Sequence, residues 1–494
     1  MPICLIQLLA RISSYAIFPA FLVLGSGCGG GGEADGGLIP SANAATPTPT
    51  PTPTPTQVIL SANGPLTATR TSGVAPLAVQ FEVTGAFSGS YAWDFGDNRG
   101  QAWAISGRSK NAETDGSIAS HVYDLPGTYT VRVGTESMQI TVADPATAYA
   151  GTRTVCVSPA ARYAGCPAGA TQQTSLPSSY AGLRVLLNRG ESFGGISPRN
   201  TDSGFQVGAY GTGAKPVVAG VNTGMVSGIA SWTSDWTVMD LNVGVVNIDA
   251  TTSRLLLYRN DINRQLGGSA QVNIGTAAGY YQRNNSGAVP STIYWPREVF
   301  LVENDIQGVV NANGTPNLVV MGFFLRSAIL GNTINKATEH SLRIWAGSRV
   351  VIAHNAVGGD HYVGGGIGIR HAIKIHSGGT QAFTDTVAGS PAPATSRIVI
   401  ANNQIGSPTY PGSWLVGIGP QNADAGTVEG IEDVLAAGNV FIRGPYTGSD
   451  IQWRGRRMTN RGNSVQGGGT PSISRNGSNY DAALSNWDGP YISQ

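Results

Sequence analysis

Two nine-residue stretches hold the densest set of groups able to do chemistry. Glu339-His340-Ser341-Leu342-Arg343-Ile344-Trp345-Ala346-Gly347 and Arg370-His371-Ala372-Ile373-Lys374-Ile375-His376-Ser377-Gly378 match position for position, and the segment they bound contains five of the six histidines. Both alternate as a strand does, sending successive side chains to opposite faces. One parity, His340, Leu342 and Ile344 stacked on His371, Ile373 and Ile375, is expected to point inward, with the two histidines in a core ladder. The other, Glu339, Ser341, Arg343 and Trp345 against Arg370, Ala372, Lys374 and His376, is expected to face out. Parallel strands lie about 4.8 Å apart, so Glu339 falls beside Arg370, Arg343 beside Lys374 and Trp345 beside His376. Glu339 with Arg370 is expected to form a surface salt bridge. Arg343 with Lys374 is two cations side by side, which costs stability unless an anion sits there. The pattern is that of an anion-binding site.

Something must hold two such strands in register. An apolar strand followed by Asn, a variable residue and an aliphatic recurs around Asn260, Asn304, Asn332, Asn355, Asn403 and Asn439, with a fainter copy at Asn463. No helical period separates the copies. Strand, Asn turn and strand predict a solenoid whose coils bury their inward side chains by stacking on neighbours, with the asparagines as a hydrogen-bonded ladder at one turn. Aligned on the Asn turns, Val320 takes the place of Arg343 and Lys374 in the preceding coil, and the later strand Trp414 to Gly419 is uncharged. The basic patch is then two rungs wide. Two loops, Gly358 to Val363 and Thr380 to Thr395, are placed to wall it, and the first brings Asp360, His361 and Tyr362 to the site. His354, just before a turn Asn, reads as surface structure.

The remainder of the composition agrees with an all-β, turn-rich, exported chain. Of 494 residues 68 are Gly and only 12% are charged, and the net charge of +1 gives no general attraction to nucleic acid. An apolar run from Tyr15 to Leu24 follows Arg11 and ends at Gly25-Ser26-Gly27-Cys28. This segment resembles the signal of bacterial lipoproteins, which implies cleavage before Cys28, lipid on its sulfur and attachment to the outer membrane; an ordinary signal peptide is the alternative. Gly-rich sequence and a Thr-Pro repeat, Thr46 to Thr56, then form an extended spacer. Cys4 leaves with the signal, so Cys156 and Cys166 remain as a close pair expected to form a disulfide.

Two family resemblances follow. Ala75-Pro76-Leu77, Tyr91-Ala92-Trp93-Asp94-Phe95-Gly96-Asp97 and His121-Val122-Tyr123-Asp124-Leu125-Pro126-Gly127-Thr128-Tyr129 resemble the hallmark segments of PKD domains, in order. The resemblance implies a β-sandwich with Trp93 in its core and, in exported enzymes, a spacer or weak polymer binder. The Asn-turn repeat, with first coils around Leu183 to Phe193 and Gly208 to Val218, resembles right-handed parallel β-helix proteins of the pectate-lyase-like superfamily. The domains expected are a signal over 1–27, a linker over 28–57, a PKD-type sandwich over 58–144 and a right-handed parallel β-helix over 145–494.

Polysaccharide lyases of that superfamily cleave uronic acid polymers by β-elimination. That chemistry needs cations on the carboxylate, a base and an acid, and by chemistry rather than by motif it assigns Arg343 as carboxylate clamp, Lys374 as base and His376 or His361 as acid, with Arg370, Glu339, Trp345, Asp360, His361 and Tyr362 binding an acidic polysaccharide. The order Arg then Lys is the reverse of that in the lyases it resembles. Some relatives hold a calcium ion with acidic residues; no compact acidic cluster is visible here, so the metal stays open. One alternative is a glycosidase using Glu339 and Asp360, and another a non-catalytic glycan-binding or adhesive surface protein. The protein is expected at the cell surface, in the periplasm or secreted, as a monomer.

Overall fold

The computed structural model describes residues 65–223, 233–248, 252–263, 270–275, 296–309, 318–359, 371–376, 395–410, 414–419, 431–445, 449–453 and 455–474. Cys28, Asp360, His361, Tyr362 and Arg370 lie outside them, as do the signal and linker.

From Thr154 onward the strands run parallel in three stacks, making the expected parallel β-helix. One stack holds Val221–Thr223, Val246–Ile248, Ala270–Ile274, His371–Ile375, Trp414–Ile418, Ile451–Trp453 and Ile473–Ser474. A second holds Arg184–Asn188, Ser203–Tyr210, Thr233–Met239, Thr252–Tyr258, Arg297–Val302, Thr395–Ala401, Ile431–Ala437 and Arg456–Arg461. Two long strands, Leu318–Leu330 and His340–Ala353, belong to both, the front of each pairing in the first stack and the back in the second. The third stack consists of short strands from Ser192–Phe193 to Ser464–Val465. Inward Val, Ile and Leu from all three interlock into one core, which each coil can bury only by stacking. A disulfide joins Cys156, on the first solenoid strand, to Cys166.

The Asn ladder forms between the second and third stacks. Asn304, Asn332, Asn355, Asn403, Asn439 and Asn463 each present Oδ1 to the backbone N–H and the amide of the preceding copy, at 2.8–3.1 Å, and Asn260, at the head of the ladder, accepts from the Leu241 N–H at 3.1 Å. Their own amides also donate to main-chain carbonyls of the previous coil, such as Asn355 Nδ2 to Ile329 O at 2.8 Å. These fully buried polar groups cost little because each is satisfied.

A second column was not expected from the sequence. At the corner entering the second stack, Asp235, Arg254, Glu298, Arg326, Arg349, Arg397, Asp433 and Arg457 all have φ between 45° and 58°. Left-handed backbone is costly for side chains with a Cβ, yet here it recurs in coil after coil, six residues before the ladder position. The conformation turns one charged side chain per coil out of the corner.

Residues 66–143 form the expected sandwich, of a three-stranded and a five-stranded sheet, around Phe81, Trp93, Phe95, Tyr123 and Ile140. It is not held off as a spacer. The strand Leu77–Val83 turns Leu77, Val79, Phe81 and Val83 into the sandwich core and its opposite face onto the solenoid's second stack. Ala78, Trp103, Ile118 and Val122 pack there against Leu256, Tyr258, Phe300, Val302, Ala328, Leu330, Val351, Ala353, Val399 and Ala401. Gln80 donates to the carbonyls of Ser327 and Arg349, and Glu82 meets Arg326, Arg349 and Arg397 together. His354 is likewise not surface structure: it is fully buried, stacked 5.0 Å from Trp103, and bonded to Ser106 and Glu113. A face that a lone solenoid would leave apolar is covered by the sandwich.

Candidate active site

The front of His340–Ala353 pairs with His371–Ile375 as the repeat demands: His340 faces His371, Leu342 faces Ile373 and Arg343 faces Lys374. Ile344 and Ile375 hold the strands down in the core, which leaves Arg343 and Lys374 on the outer surface. Both are nevertheless buried, at 6% and 4% exposure, so their charges are largely out of water.

Arg343 is held on three sides. Its guanidinium lies 3.8 Å from the Trp345 ring centre, its Nε donates to His376 Nε2 at 3.2 Å, and Glu339 stands 3.9 Å from its terminal nitrogen. Trp345 in turn stacks on His376 at 5.4 Å and donates to Met321 Sδ. Burial, followed by the charges of Lys374 and Arg343 and the two other imidazoles, holds His376 well below the usual histidine range. The ring is therefore neutral near pH 7, with its Nε2 lone pair given to Arg343. In this arrangement the Nε2 of His376, expected from the sequence to be the acid, accepts from the Arg343 N–H.

The inward placement of His340 and His371 is corrected as well. Ala372 and Ile373 are consecutive core residues, as are Leu415 with Val416 and Val319 with Val320, so strict alternation breaks just before the site. The break sends the preceding residue of each rung outward. His371 lies across Gly417, where an added Cβ would meet its Cδ2 at 2.3 Å, and stacks on Trp414 at 5.4 Å and 11°. His340 continues the stack, its Nδ1 3.3 Å from that of His371, and its Nε2 is 3.4 Å from Glu339. One of the facing Nδ1 atoms donates and the other accepts.

Met321, not Val320, occupies the rung before Arg343. A shift in register after Gly322 moves the pairing by one residue, which alignment on the Asn turns cannot detect. Gly417 is the rung after Lys374. Sequence reasoning missed Trp414 and Gly417 as site residues; the signal available was the doubled apolar pair Leu415-Val416, mirrored in Ala372-Ile373. Among the described residues no group of three or more His, Cys, Asp or Glu is arranged to hold a metal ion.

The arrangement joins a fixed guanidinium fork, an adjacent lysine amine, an imidazole pair and one carboxylate, with the Trp345 and Trp414 rings stacked beside them. It can bind a carboxylate bidentately through Arg343 and present a nitrogen base and a proton donor to the same substrate.

No curated protein matches the chain. Among solved structures it is similar to the catalytic domain of a GH87 alpha-1,3-glucanase, a D1045A variant in complex with nigerose, at 10% identity and a TM-score of 0.30, over 84% of this chain and 91% of that one. The PKD domain family matches residues 65–149. The chain thus carries a PKD domain, docked on the side of a parallel β-helix.

Proposed function

We propose that the protein is an extracellular carbohydrate-active enzyme that cleaves a uronate-containing polysaccharide by β-elimination at the Arg343–Lys374 rungs. The observation that supports this reading is the pair of buried cations in register, one of them locked by Trp345, His376 and Glu339. Arg343 takes the sugar carboxylate, which acidifies the neighbouring C–H. Lys374, acting as the unprotonated amine that the neighbouring Arg343 charge favours, removes that proton and becomes the ammonium, the bond to the leaving oxygen breaks, and the electron pair becomes a carbon–carbon double bond conjugated to the carboxylate. The His340–His371 pair supplies a proton to the departing oxygen. Trp345 and Trp414 offer faces on which sugar rings pack.

Hydrolysis is the second reading, favoured by the Glu339 carboxylate at the edge of the same cluster; Asp360, its proposed partner, lies on the adjoining loop in sequence. Incubation of the signal-less protein with a panel of acidic and neutral polysaccharides separates the two. Ultraviolet absorbance of an unsaturated uronate, lost in Lys374→Ala with binding retained, supports elimination. New reducing ends without absorbance, lost in Glu339→Gln, support hydrolysis and refute the first reading. Binding with neither product supports a non-catalytic glycan-binding protein. Export through a lipidated Cys28, proposed from the sequence, is tested by membrane partitioning of Cys28→Ala.

A further inference from the structure

The site belongs to a column that runs along the solenoid, and the column's chemistry is uneven. Its outward positions are, rung by rung, Asn222, Asn247, Asn273, Met321, Arg343, Lys374, Gly417, Gln452 and Ser474. The three asparagines are half-buried, and Asn273 Nδ2 donates to Asn247 Oδ1 at 2.9 Å. Gln452 is 5% exposed. Among the described residues of this column, cations occupy two adjacent rungs; every other rung is an amide, a thioether, a hydroxyl or a bare backbone.

Rungs are about 4.8 Å apart, roughly the advance of one pyranose along an extended glycan. A polymer lying along the column therefore meets about one rung per sugar. If every sugar carried a carboxylate, those beyond the centre would face amides and Met321, and carboxylates entering such a half-buried track would lose water without gaining a charged partner. Amides are suited to hydroxyls and acetamido groups instead, donating and accepting at one position.

We infer that the substrate is a heteropolymer in which the anionic sugar taken by Arg343 and Lys374 is flanked by neutral sugars. The inference rests on the elimination reading above and narrows its substrate class from acidic polysaccharides in general to those with spaced charge. Gly417 fits the same scheme. With no side chain there, the rung after Lys374 is occupied by the His371 ring and walled by Trp414, a flat uncharged aromatic surface that suits a neutral sugar.

The test compares kcat/KM of the full signal-less chain on chondroitin, in which uronate alternates with a neutral amino sugar, against polygalacturonate and polymannuronate, which carry a carboxylate on every unit. The expected preference for the alternating chain is tenfold or more. Raising salt from 50 to 300 mM should weaken binding of the preferred polymer only a few-fold, since few ion pairs form. A second variant keeps the inference falsifiable: Asn247→Lys, which replaces one amide of the track by a cation and removes the acceptor for Asn273 Nδ2, should raise kcat/KM on the homopolyuronates several-fold and lower it on chondroitin, narrowing the preference between them. Equal or better turnover of the homopolyuronates by the native chain, or no gain from Asn247→Lys where they are turned over, overturns the inference while leaving elimination standing. Reducing ends from a neutral polymer, with no acidic polymer bound, overturn the elimination reading itself.

Discussion

Replacing Glu82 by Gln isolates what docks the PKD domain to the solenoid. Arg326, Arg349 and Arg397 occupy consecutive corners, and the single Glu82 carboxylate meets all three, at 3.6 Å from Arg326 and 2.7 Å from Arg349, with Arg397 also in contact. Burial, then the Arg349 charge, already pulls the Arg326 guanidinium below the usual arginine range, with Glu82 opposing. With neighbouring charges about 5 Å apart and an effective dielectric near 20, each adjacent Arg pair repels by about 3 kcal/mol before screening. The carboxylate offsets two such repulsions, and its bonds to charged donors contribute about 1.5–3 kcal/mol each. Arg397 is 37% exposed, so solvent screens part of the total. The net expectation for Glu82→Gln is a loss of about 3 kcal/mol, within the range for stranding one side of a buried ion pair. Urea unfolding followed by tryptophan fluorescence reads it, because Trp103 leaves the interface when the domain undocks. Sulfate at tens of millimolar should restore much of the loss by occupying the vacated anion site, and should do little for the native chain. A loss under about 1 kcal/mol, insensitive to sulfate, would refute the argument that this carboxylate neutralises the three arginines.

Four further outcomes are expected. Asn355→Ala, in the middle of the buried ladder, removes the acceptor for Asn332 and strands the carbonyls of Ile329 and Ala353; it should cost at least about 3 kcal/mol, measured by thermal unfolding, and more than the same change at Asn463. His376 is held neutral in the folded chain, so the unfolded chain binds the extra proton below its ordinary pKa and stability falls with pH through that window. Relative to pH 7.5, this group should cost about 1.4 kcal/mol at pH 5.5, and His376→Gln should remove that component while leaving an acceptor for Arg343. A solenoid produced without residues 65–149 should form soluble aggregates in light scattering, since it bares Leu256, Tyr258, Phe300, Leu330, Val351 and Val399 as one apolar patch. Gly417→Ala should displace His371 and lower kcat tenfold or more while moving the melting temperature by only a few degrees.

The architecture was readable because its two strongest signals are periodic. The Asn turns recur with an aliphatic two residues on, and the self-repeat at Glu339 and Arg370 gave the pairing of Arg343 with Lys374 without error. What was not readable depends on departures from period. Strict alternation assigned His340 and His371 to the core, and nothing in single residues announces that Ser341 and Ala372 take the inward turn; only several rungs compared together show it. The one-residue shift after Gly322 hid Met321 behind Val320 for the same reason. The PKD segments gave the sandwich but not its seat, because docking is written in the outward face of Leu77–Val83, where Ala78, Gln80 and Glu82 resemble an ordinary solvent face. The matching signal on the solenoid, a charged residue six positions before each turn Asn, was present in the sequence and overlooked.

That corner column gives the solenoid a row of interchangeable teeth. Each tooth stands at the same height on its coil, contributes nothing to the hydrophobic interior, and takes no part in the Asn ladder. Its sign can therefore be rewritten one coil at a time while the coil itself stays folded. In this chain the row reads acid, base, acid, three bases, acid and base, with Arg70 of the PKD domain seated toward Asp235 and Glu82 against the three successive bases. Two oppositely charged residues on one small domain thus meet complementary stretches of the row, alongside the apolar contacts that seat the domain. A different comb would suit another partner, or another position for the same one, without any change to the Arg343–Lys374 rungs on the neighbouring stack.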